Sequence, residues 1–100
     1  MSQAVTEYDD PVLEQEIAYL IVEAAGRLGS EYKLAQHLGI TSQELSGMKH
    51  GRRACPVDVQ TVMAAIAGKD AVATLVEATA DRLSPERRKR FEDALNWRKL

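Results

Sequence analysis

The chain has 100 residues, 45% of them hydrophobic and 28% charged, which bounds it to one globular domain that can bury a core without staples. A net charge of −2 argues against indiscriminate nucleic-acid binding, and the single cysteine, Cys55, excludes an internal disulfide and fits a reducing cytoplasm. No apolar run approaches the roughly 20 residues of a membrane span, and the first ten residues carry three acids and no base, so no secretory leader is expected.

Residues 1–9 read as a short acidic arm. Asp10 and Pro11 then predict a helix start, N-cap followed by N1. Leu13, Ile17, Leu20, Ile21, Ala24 and Leu28 follow at helical spacing, and Gly29 stops the helix. Its outer face is acidic, with Glu14, Glu16 and Glu23, and Arg27 comes only at its end. Ser30 caps a second helix over about 31–38, in which Leu34, Ala35 and Leu38 can face inward together. Gly39 stands where a helix C-cap wants a residue tolerant of positive φ, and Ile40 fills the corner. Thr41 is a good N-cap, and Glu44 three residues on completes a capping box. The third helix, about 42–49, turns Leu45 and Met48 back onto the same core.

Gly51 ends the third helix and Arg52–Cys55 form a loop. Pro56 is expected at N1 of a fourth helix, with Val59, Val62, Met63 and Ile66 inward and Gly68 closing it. Asp70 caps a fifth, with Val72, Leu75, Val76 and Ala80 inward, ending near Leu83. Ser84 and Pro85 start a sixth, whose apolar stripe is Phe91, Ala94 and Leu95. No segment has strand periodicity. The expected class is all-α, organised as the arm (1–9), a main domain (10–83) and a C-terminal helix (84–100) packed on that domain or at a dimer interface.

The run Leu34-Ala35-x-x-Leu38-Gly39-Ile40-Thr41-x-x-x-Leu45-Ser46-x-Met48-x-x-Gly51-Arg52-Arg53 resembles the helix-turn-helix of the phage-repressor class, that of lambda repressor and Cro. The tail Gly51-Arg52-Arg53-Ala54-Cys55-Pro56 is closest in look to the YdaS-type Cro-like prophage regulators. The resemblance implies a compact bundle of about five helices, plus the C-terminal one, whose third helix enters the major groove of double-stranded DNA. It implies base reading by Thr41, Ser42, Gln43, Ser46 and Gly47. Phosphate contacts fall to Ser30, Lys33, Lys49, His50, Arg52 and Arg53. Where the family often has Gln at the start of its second helix, this chain has Glu31.

The side-chain chemistry agrees in part. Between Leu45 and Val57 there is no acid, while Lys49, Arg52 and Arg53 are basic; such cations position a protein on phosphates and make binding salt-dependent. Gln43 can make a bidentate pair with adenine. Glu44 can accept from cytosine, but the capping box is its simpler role. Cys55, His37 and His50 lack the spacing of a metal site, no catalytic pair or phosphate loop is found, and no enzyme or cofactor is expected. The basic run Arg87–Arg90 is a solvated face, a further phosphate contact or a contact with an acidic partner, and Trp97 is a candidate dimer anchor. The expected function is a cytoplasmic, homodimeric, DNA-binding transcriptional regulator of phage or mobile-element origin that represses by occlusion. The alternative is a protein-interaction module on the same fold: an antitoxin, anti-repressor or host-takeover factor.

Overall fold

A computed structural model describes the backbone of residues 4–96 and the side chains of residues 15–96. Within them lie six helices and no strand: α1 (Ala4–Leu28), α2 (Glu31–Leu38), α3 (Ser42–Lys49), α4 (Val57–Ile66), α5 (Ala71–Asp81) and α6 (Pro85–Leu95). None is long and apolar enough to cross a membrane.

Local chemistry sets most boundaries. Ser30, Thr41, Asp70 and Ser84 each accept a backbone N–H from the first turn of the helix they cap, satisfying donors that a helix start leaves free. Gly39 ends α2 at φ 74°, a conformation that costs glycine little. The Ile40 N–H then reaches back to the Ala35 carbonyl at 3.1 Å, closing the turn into α3.

Two boundaries differ from the sequence expectation. α1 begins at Ala4, so Asp10 and Pro11 lie inside a helix and the expected arm is largely helical backbone. Residues 4–10 contain neither glycine nor proline. Pro11 cannot donate to the Glu7 carbonyl and its ring crowds that carbonyl, so the helix continues through it at a cost of about 3 kcal/mol. Pro56 is the N-cap of α4, not its first residue.

The core is built where α1 packs against α2, α3 and α4. Ile21, Leu34, Leu45 and Met63, one from each of these helices, are fully buried. Leu20, Ala24, Ala35, Met48, Cys55 and Val59 surround them, with Ile17, Leu28, Leu38, Ile40 and Ile66 half-buried at the edge. Leu13 lies outside the residues whose side chains are described.

The C-terminal helices depart from the expected pattern. α5 packs on α4 and buries Ala78 and Ala80, while Val72 is 70% and Leu75 43% exposed. Val62 on α4 is exposed as well. Of the expected inward residues of α5, Ala80 is buried and Val76 half-buried. α6 leans on α5 and buries none of its residues; Phe91 is half-buried, and Ala94 and Leu95 are exposed. Arg82 ties the end of α5 to the rest by donating to the Cys55 and Ala78 carbonyls, both at 2.7 Å.

Truncating Met63 to Ala in this four-helix core should cost about 2–5 kcal/mol, whereas Val72→Ala should stay within about 0.5 kcal/mol, as for a surface site. Urea denaturation of the two variants checks the contrast.

Candidate nucleic-acid interface

α3 is held as a rigid unit by its two ends. Thr41 Oγ1 accepts the Glu44 N–H at 3.0 Å, and Glu44 Oε1 accepts the Thr41 N–H at 2.9 Å, so the capping box closes reciprocally. The bond from the Thr41 backbone holds the Glu44 carboxyl below the usual glutamate range; desolvation opposes it, and the Thr41 side chain and the charge of Arg53 add smaller effects in the same downward direction. At the other end the His50 ring folds back, its Nδ1 donating to the Ser46 carbonyl at 2.9 Å. A carbonyl only accepts, so this nitrogen carries the proton.

Between these ends the inner and outer faces separate. Leu45 and Met48 are buried in the core, and Ser42 and Gln43 stand exposed in the first turn. Gln43, Ser46 and His50 follow at helical spacing and share one side of α3; Ser46 is half-buried. Ser42, Gln43, Ser46 and His50 therefore form one surface of hydroxyl, amide and imidazole groups, and the exposed Arg52 follows in the loop, at the rim of the cleft between α1 and α5.

Gly47 does not belong to that surface. It is buried, and a β-carbon there would sit 3.3 Å from Arg53 Cβ. The N–H groups of Arg52 and Arg53 donate to its carbonyl at 2.8 and 3.2 Å. The loop folds back over the end of α3, and the Arg53 side chain packs on the space a side chain at 47 would enter. Gly47 is a packing residue, which corrects its expected base-reading place and accounts for a glycine inside a helix.

The expected phosphate contacts divide in the same way. Ser30 Oγ is occupied as the α2 cap, accepting the Lys33 N–H at 3.1 Å. Lys49 Nζ bonds Glu31 Oε2 across the two helices, and Arg53 Nη1 lies 3.3 Å from Glu44 Oε2. Lys49 and Arg53, both expected at phosphates, are thus in ion pairs with partly exposed side chains. Lys33 lies along Gly29, its side chain exposed. Arg52 has no carboxylate partner among the described residues. Sequence reasoning missed the exposed Tyr32–Gln36 pair on α2, in which Gln36 Nε2 donates to Tyr32 Oη at 3.2 Å; its signal is the i, i+4 spacing.

Beside this surface an open cleft of about 860 Å³ runs between α1, the α3–α4 loop and α5. Leu20, Met48, Cys55 and Ala78 line it. Burial, partly opposed by the charge of Arg82, pushes the Cys55 thiol up to about 11, so it is protonated at neutral pH and not a nucleophile. Among the described residues no group of His, Cys, Asp and Glu could hold a metal ion. Comparisons with family models, with curated proteins and with solved structures find no match for the chain.

Removing the cap with Thr41→Ala should cost about 1 kcal/mol. A carboxyl whose folded pKa is depressed stabilises the fold fully above its ordinary value and loses that effect as the pH falls through the lowered one. The wild type should therefore exceed Glu44→Gln in stability at neutral pH, with the advantage disappearing in acid. Urea midpoints of both proteins across the acidic range test this.

Proposed function

We propose that the chain is a sequence-specific, double-stranded DNA-binding transcriptional regulator built on a helix-turn-helix of the phage-repressor type. The observation that carries this reading is the division of α3: Leu45 and Met48 anchor it in the core, while Ser42 and Gln43 stand exposed in its first turn. That turn is where a helix inserted in the major groove meets base edges. Gln43 reads bases, with Ser42 and Ser46 beside it. Arg52, following the helix, supplies a phosphate contact, and Lys33 on α2 a second. The protein acts in the cytoplasm as a repressor of phage or mobile-element origin, by occluding a promoter.

One short helix makes few base contacts, and a two-fold dimer spanning one turn of DNA doubles them. The exposed Val72 and Leu75 of α5, with Leu95 of α6 at 50% exposure, supply an apolar face for a second copy. Trp97, the expected anchor, lies outside the described residues.

Selection of bound sequences from random duplex DNA should enrich one motif. Gln43→Ala should leave folding nearly unchanged, cost roughly 1–3 kcal/mol on the best site and relax preference at one base pair. A selection without enrichment overturns the reading and leaves the fold to a protein partner.

Leu75→Glu should convert a dimer into a monomer in light scattering while its helical circular-dichroism signal stays that of the wild type. A wild type that is monomeric at high concentration refutes the dimer.

A further inference from the structure

Two carboxylates occupy positions on the α2–α3 surface that would suit a DNA phosphate. Glu31 is the first residue of α2, and Glu44 lies in the first turn of α3. The start of a helix favours a negative charge through its free N–H groups and its dipole. Each carboxylate also holds a cation: Lys49 on Glu31 and Arg53 on Glu44. A helix start with a cation beside it is a common way to bind a backbone phosphate, and here both places are filled by the chain itself. The pairs span different elements. Lys49 at the end of α3 reaches to the start of α2, and Arg53 in the following loop reaches back to the start of α3. Arg52, between the two paired cations in sequence, has no carboxylate partner among the described residues.

We propose that Glu31 and Glu44 act as internal substitutes for phosphate, withholding Lys49 and Arg53 from the DNA backbone; this rests on the DNA-binding reading above. Phosphate contacts supply nearly all of the sequence-independent affinity of a DNA-binding protein, whereas base contacts supply discrimination. Occupying two of the four cations near α3 (Lys33, Lys49, Arg52 and Arg53) weakens retention on bulk DNA and leaves Gln43 and Ser42 free. The arrangement also fits a DNA-binding surface on a chain of net charge −2.

The test uses a mixed-sequence duplex and compares the wild type, Glu31→Gln, Glu44→Gln, the double variant Glu31→Gln/Lys49→Gln, and Arg52→Ala over a range of salt. Glutamine preserves size and can still close a capping box, and melting curves establish that each variant is folded. Each single glutamine variant should bind several-fold more tightly at low salt. Its dependence of log affinity on log salt should be steeper by about 0.9, the value of one added phosphate contact. The double variant should return to the wild-type slope, because the gain passes through Lys49. Slopes unchanged in both single variants overturn the proposal. So does a steepening that persists when Lys49 is also replaced, which would mean that only general repulsion had been relieved. Arg52→Ala separates the two levels of the argument. If it flattens the wild-type slope while the glutamine variants change nothing, the substitution of carboxylate for phosphate fails and the DNA reading stands. If no protein in the set binds the duplex even at low salt, both fall.

Discussion

Four fully buried side chains, one each from α1, α2, α3 and α4, fix the geometry on which everything else rests. Ile21, Leu34, Leu45 and Met63 belong to one buried cluster, and burying each is worth about 1.5–3 kcal/mol. The α2–α3 turn is short: between Leu38 and Ser42 lie only Gly39, Ile40 and Thr41. With Leu34 and Leu45 pinned on either side of so short a link, the direction in which α3 presents Gln43 follows from the core. The surface chemistry of α3 is thus a consequence of apolar packing on its far side, and a polar outer residue can be exchanged without disturbing the direction it points.

Much of this half of the molecule was legible in the sequence, because each signal there has a local cause. Glycine at the end of α2, Thr41 with Glu44, and Leu45 with Met48 act within one or two turns of the backbone. They identify α2 and α3 to the residue without knowledge of any other helix. Asp10 and Pro11 had an equally local signal and misled, since a capping pair marks where a helix is able to start and does not compel it to start there. The Ser30, Thr41 and Gln43 placements share this local origin. The partners of Lys49 and Arg53 do not, because Lys49 meets Glu31 across two helices and charge counting along the chain sees only that no acid lies nearby in sequence.

The C-terminal half was less legible for a related reason. A stripe of Val72, Leu75 and Val76 says that one face of α5 is apolar, and it does not say what covers that face. One side of this helix carries Val72, Leu75 and Val76, and alanines flank it on both edges, Ala71 and Ala78 on one and Ala73 and Ala80 on the other. Folding buries Ala78 and Ala80 at the two edges, leaves Val76 half-buried, and leaves Val72 and Leu75 exposed. Those two are left uncovered within the chain, and the same is true of Leu95 on α6. An isolated helix of about eleven residues is marginal in water, and α6 fully buries none of its residues, so it rests on its Ser84 cap and Pro85, on Phe91 half-buried against α5, and on the ion pairs Arg88–Asp81, Arg88–Glu92 and Lys89–Asp93.

Gly47 shows how a residue's sequence position and its physical role come apart. It lies one turn beyond Gln43 and so falls by period on the side of α3 that presents polar groups. Inside a helix it costs about 1 kcal/mol relative to alanine, and the cost is explained by what the missing side chain permits. The loop after α3 folds over it, both arginine N–H groups bond its carbonyl, and the Arg53 side chain is brought to Glu44. The Arg53 side chain thus packs over Gly47 and reaches Glu44, while Arg52 has no carboxylate partner among the described residues. The two guanidinium groups are chemically identical and differ by a single position in sequence. Their electrostatic roles diverge because the Arg53 side chain lies over Gly47, six residues before it, and ends at the Glu44 carboxylate.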